Sequence, residues 1–80
     1  MRQRGDTVFN VGDIVTGIVH SPYSVTNDRG KYRVCAAWKQ DDVDVIKVAV
    51  VEHEHIEFVH MEFTVLAKYF HKVRMVATLK

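Results

Sequence analysis

Two apolar-rich runs held apart by four polar residues constrain this chain more than any other feature. Residues 43–51 (VDVIKVAVV) and 56–65 (IEFVHMEFTV) flank Glu52-His53-Glu54-His55. In the second run Val59, Met61, Phe63 and Val65 alternate with His60, Glu62 and Thr64, the period of two that a strand with one buried face requires. In the first, Val43 and Val45 share one phase while Ile46, Val48 and Val50 share the other, so the apolar face moves by one residue at Val45-Ile46. A β-bulge makes that move and lets a small sheet curl. The β-branched content of this run also favours extended backbone. Together the runs predict a central hairpin with Glu52-His53-Glu54-His55 at its tip.

The remaining segments read as strands wrapped on that hairpin. Residues 1–6 (MRQRGD) have no apolar period and read as a flexible tail, leaving residues 7–80 as a single domain. Phe9 and Val11 alternate, Gly12-Asp13 supplies a turn, and residues 14–19 predict a first strand. The stretch HSPYSVTNDRG, residues 20–30, is the longest loop, with turn chemistry in Asn27-Asp28-Arg29-Gly30. Residues 31–38 alternate again, with Tyr32, Val34, Ala36 and Trp38 on one face, and Lys39-Gln40-Asp41-Asp42 turns the chain into the hairpin. After Val65, Leu66-Ala67-Lys68-Tyr69-Phe70 predicts one tight helical turn, and residues 71–78 a last strand. Five short strands, a long first loop and a helical turn before the last strand predict an all-β fold, a five-stranded SH3-like small barrel.

Three short patterns add a resemblance: Phe9-x-Val11-Gly12-Asp13-x-Val15, Tyr23-Ser24-Val25-Thr26-Asn27, and Phe63-x-Val65-x-x-x-Tyr69-Phe70-x-x-Val73. They resemble small SH3-like β-barrel proteins common in phages and in prophage-bearing bacteria, over most of residues 8–73. The resemblance implies the barrel, a viral or mobile-element setting, and no catalytic residues. The charged hairpin in the 50s departs from that pattern and reads as an addition with its own partner.

Composition narrows the function classes. Eighty residues, 48% of them hydrophobic and one of them proline, make one small folded domain rather than a disordered chain. A single cysteine, Cys35, excludes an internal disulfide and a four-cysteine metal site, and fits a reducing compartment. With no signal peptide and no apolar run of spanning length, the expectation is a protein of the host-cell cytoplasm that does not engage a membrane. Residues 41–62 hold seven acids (Asp41, Asp42, Asp44, Glu52, Glu54, Glu57, Glu62) against Lys47 alone, so a chain of net charge +1 carries −6 here and +7 elsewhere. That division predicts one acidic and one basic surface.

No catalytic constellation stands out. Cys35 neighbours Ala36 and Ala37, a packing environment rather than one that activates a thiol. Ser21 and Ser24 lie near His20 without a third group to orient a triad, and Asp41-Asp42 fall in a turn. His53 and His55 share a side in an extended segment and His60 returns nearby, but a hairpin tip is a poor frame for tetrahedral ligation. The expectation is a non-enzymatic module with no metal and no cofactor. Its leading role is protein binding, to a host protein, with inhibition of that protein left open, through Tyr23, Tyr69 and Phe70 beside the long loop and through Glu52, Glu54 and Glu57 of the acidic hairpin. The alternative is nucleic-acid binding through Arg29, Lys31 and Arg33, which share one side of an extended segment, with Tyr23 and Trp38 as stacking rings. An exposed strand edge leaves either a monomer or a homodimer open.

Overall fold

A computed structural model describes residues 9–73, so the expected tail at residues 1–6 and the end of the expected last strand, residues 74–78, lie outside the described residues. Within them the protein is all-β: β1 (Ile14–Gly17), β2 (Lys31–Gln40), β3 (Val43–Glu52), β4 (Glu62–Leu66) and β5 (Phe70–Lys72), with short 3-10 turns at Ile56–Phe58 and Ala67–Tyr69. The strands form one antiparallel sheet in the order β4-β3-β2-β1-β5. No ladder joins β4 to β5 among the described residues, so the sheet is open.

One face of the sheet carries the core. Val15, Tyr32, Val34, Ile46, Val48, Val50, Val65 and Phe70 are buried there together with Phe9 and Ala67. Each Val, Ile or Phe so buried contributes roughly 1.5–3 kcal/mol of transfer free energy. The long β2–β3 hairpin turns on Asp41 and Asp42, at φ 53° and 66°. Positive φ at both positions of a two-residue turn gives the twist that the flanking strands need.

The expected bulge at Val45-Ile46 is absent: β3 slips against β2 only near its end, where Val51 has no partner between Glu52 and Val50, and the phase change that matters lies in β2. The β3–β4 register runs unbroken from Val45↔Leu66 to Ala49↔Glu62, whereas β2 slips against β3 between Val34 and Ala36. Val34 pairs with Val48, but Ala37, not Ala36, pairs with Ile46. Directly opposed residues share a face, so the inward phase of β2 passes from even to odd numbers at Cys35. Trp38, expected on the apolar face with Tyr32, therefore sits opposite Val45 on the other side and is 40% exposed. The mixed phase of β3 has a different cause. That strand is flanked on both sides, so Val45 is covered between Trp38 and Leu66 with no bulge at Val45-Ile46.

Two expected boundaries also shift. The return strand of the hairpin begins at Glu62, not Ile56, because residues 56–58 wind into a 3-10 turn and His60 takes φ 78°, which breaks the alternation. Met61, expected on the buried face, is consequently 44% exposed. The first strand stops at Gly17, where Ile18 N–H turns to the Tyr69 carbonyl at 2.9 Å. A Cβ at Gly17 would stand 2.8 Å from the Thr26 carbonyl oxygen, so the long loop crosses here only over a glycine. The helical turn before the last strand falls at Ala67–Tyr69, inside the stretch expected for it.

Candidate functional site

The loop between β1 and β2 is tied to the sheet at several points. Thr16 Oγ1 donates to the Gly30 carbonyl at 2.5 Å. Asn27 closes a local turn, its Oδ1 accepting from Arg29 N–H at 2.9 Å and its Nδ2 donating to the Ser24 carbonyl at 2.7 Å. The Tyr32 hydroxyl donates to the Asn27 carbonyl at 2.9 Å, with the Val25 carbonyl 3.2 Å away. Burial of that phenol in the core raises its pKa to about 12. Gly30 lies so close to the Tyr32 hydroxyl that a Cβ there would stand 2.5 Å from it.

Two further ties come from the far side of the sheet. Tyr23 Oη accepts from Leu66 N–H at 3.0 Å, fixing the loop to the end of β4. His53 spans from the β3–β4 connection to the Val25 carbonyl, its Nε2 at 2.8 Å, while its Nδ1 accepts from His55 N–H at 2.9 Å. A carbonyl only accepts and an amide N–H only donates, so in this pair of contacts Nε2 is the donor and Nδ1 the acceptor. The imidazole is further flanked by Phe58, edge-on with centroids 5.2 Å apart. With both ring nitrogens engaged, His53 is a structural tie. Among the described residues no group of three or more His, Cys, Asp and Glu side chains comes together to hold a metal.

Tyr23, Tyr69 and Phe70 do come together. The Tyr23 ring meets Tyr69 edge-on at 5.7 Å and stacks on Phe70 at 6.0 Å. Phe70 is a core residue, so only the two half-buried tyrosines reach the surface. Beside Tyr23 lies a slot of about 320 Å³ between the loop residues Pro22, Val25 and Thr26 and the β4 residues Phe63, Thr64 and Val65. None of Glu52, Glu54 and Glu57 lines it, and Trp38 lines a separate hollow with Phe9 and Ile46. The residues expected to bind protein thus fall into two places.

The acidic and basic sets, expected on different surfaces, meet. Lys31 lies opposite Glu52 across the β2–β3 ladder with Nζ 3.5 Å from Oε1, and Arg29 Nη1 lies 3.5 Å from Glu54 Oε2. Lys47 reaches Glu62 at 3.1 Å. These pairs are exposed and each stabilises by under about 1 kcal/mol, but they cancel charge locally. Glu57 projects from the first 3-10 turn, and Arg33 lies opposite Ala49. Residues the sequence reading did not assign to the site now join it. Lys72 and His71 of β5 line a groove of about 390 Å³ with Arg29, Lys31, Thr16 and Asp28. Lys72 is itself paired with Asp13 at 3.5 Å. Thr64 and Pro22 belong to the other slot. No periodicity marks them, since their role comes from the strand order and the path of the loop.

Cys35 is half-buried at the bulge, its Sγ 3.6 Å from the Arg33 carbonyl. Comparison of the chain with protein-family models, curated proteins and solved structures yields no match. No helix among the described residues is long and apolar enough to cross a membrane.

Proposed function

We propose that this protein is a non-enzymatic binding module of SH3-like barrel type whose ligand is another protein, a host protein in the phage setting that the resemblance to small phage proteins implies. Its strand order, with the long loop between β1 and β2 and a 3-10 turn before β5, supports that architecture. The observation that carries the choice of site is the slot beside Tyr23: a concave, mainly apolar surface between a pinned loop and a strand. The acidic hairpin is a weaker contact surface than its composition suggests, because Glu52 and Glu54 are engaged by Lys31 and Arg29.

A pull-down with tagged protein from a bacterial lysate, with and without nuclease, tests the reading. One stoichiometric protein that survives nuclease, and is lost when exposed Ser24 in the slot is changed to Arg but kept with Glu57→Ala, is the expected result. Retention in both variants moves the site elsewhere. Loss of all bound material on nuclease treatment overturns the reading in favour of nucleic acid.

The groove of Arg29, Lys31, His71 and Lys72 favours that second reading, since cations from two strands converge on one concave surface. Against it, all three of its Lys and Arg residues have a carboxylate within 3.5 Å. Binding through this groove would weaken steeply with salt and fall on Lys72→Ala.

A further inference from the structure

In an antiparallel ladder, residues alternately turn their N–H and C=O groups toward one neighbour and the other. Leu66 N–H points away from β3, to Tyr23. Val50, on β3, exchanges bonds with the chain just before β4, its N–H donating to the Met61 carbonyl at 2.9 Å. Both observations set the same parity: Phe63 and Val65 bond to β3, while Glu62, Thr64 and Leu66 turn outward. Tyr23 takes up the Leu66 N–H. No group among the described residues meets the outward N–H and C=O of Thr64 and Glu62, and both residues are exposed. The slot of about 320 Å³ runs along this edge, with Phe63, Thr64 and Val65 as one wall and Pro22 to Thr26 as the other.

We propose that the slot receives an extended peptide segment of the partner protein, which adds to β4 as a sixth strand. The proposal rests on the protein-binding reading above and names its ligand's form. Donor and acceptor at Thr64, repeated at Glu62, match the spacing of another extended backbone and of few other ligands. The edge is short, ending at Tyr23 on one side and at the left-handed His60 on the other, so it engages about three residues. Alternation then sets the side-chain preference. The peptide residue beside Phe63 and Val65 faces Pro22 and Val25 and is apolar. A second copy of this chain fits poorly, since edge-to-edge pairing at Thr64 would bring each copy's loop, residues 22–26, against the other's sheet.

The test is selection of random seven-residue peptides displayed on phage against the immobilised full chain, followed by synthesis of the best binder in free form. Amide exchange of Thr64 is expected to be fast in the free protein and slowed about tenfold near saturation with the peptide. Thr64→Pro removes only an outward N–H, which a strand edge tolerates, and is expected to weaken binding tenfold or more while leaving the fold's circular dichroism intact. An N-methyl group on the peptide residue facing Thr64 should do the same without altering the protein. Undiminished binding of both the N-methylated peptide and a folded Thr64→Pro overturns strand addition, and if Ser24→Arg still abolishes binding the slot reading survives. Failure to enrich any peptide overturns it too. So does a Thr64 amide already protected in the free monomer, which assigns the edge to a segment of this chain, or protected only at high protein concentration, which assigns it to a second copy.

Discussion

Tyr32 shows how one side chain serves core and loop at once. Its ring is fully buried against Phe70, edge-on at 6.1 Å, and its hydroxyl reaches the Asn27 carbonyl. Burial disfavours the phenolate, so the folded pKa of about 12 lies above the ordinary value of 10.0. The folded state therefore holds its proton where the unfolded chain has lost it. The stabilisation is fully present below pH 10 and drains away as pH rises toward 12. A two-unit difference corresponds to roughly 2–3 kcal/mol. Urea titrations from pH 9 to 12 are expected to lose stability on that scale, and Tyr32→Phe to flatten the loss while costing about 1 kcal/mol at neutral pH. A second residue-scale prediction concerns Asp42. An L-residue at φ 66° costs roughly 1–2 kcal/mol that glycine avoids, less the extra chain entropy glycine loses on folding. Asp42→Gly should raise stability by about 0.5–1 kcal/mol in thermal melts, and more if Asp41 and Asp44 repel the carboxylate it removes.

At the scale of elements, the loop and the β3–β4 connection are joined through His53. His53→Ala removes the bond to Val25, the acceptor for His55 N–H and the contact with Phe58, and should cost about 1–2 kcal/mol. Amide exchange at residues 24–27 should accelerate in this variant, whereas exchange in β2 opposite β3 should follow only the global loss. Much of this level was legible in the sequence. The runs of residues 43–51 and 31–38, the turn at Asp41-Asp42 and the helical turn at Ala67–Tyr69 all announce themselves through alternation and turn chemistry. What alternation did not disclose was the position of the bulge. A phase change in β3 and a missed phase change in β2 look alike until the pairing is known, because a strand covered on both sides hides Val45 as effectively as Ile46. The segment 56–61 is deceptive for a related reason: its apolar residues alternate, but residues 56–58 wind into a 3-10 turn and His60 takes positive φ, so the strand begins only at Glu62.

For the molecule as a whole, the misplaced indole has a measurable signature. Trp38 is the only tryptophan, and it lies on the outer face with its Nε1 on Gln40 Oε1 at 3.3 Å. Its emission in the folded protein should be red-shifted and readily quenched by acrylamide, and should change little on unfolding, whereas a core position would give a large shift. Charge behaves similarly. The sequence segregates seven acids into residues 41–62, yet folding lays Glu52 and Glu54 against Lys31 and Arg29. The candidate site was legible in its aromatic part, since Tyr23, Tyr69 and Phe70 do cluster. Its electrostatic part was not, because a count along the chain carries no information about which strands become neighbours. The antiparallel pairing of β1 with β5 has a mechanical consequence. Val73 N–H meets the Ile14 carbonyl at 2.9 Å, so the chain enters β1 and leaves β5 at the same corner of the sheet. Tension applied through those two points loads the ladder like a zipper, one rung after another, rather than shearing all rungs together, and such a sheet gives way under a small pulling force however well its core is packed.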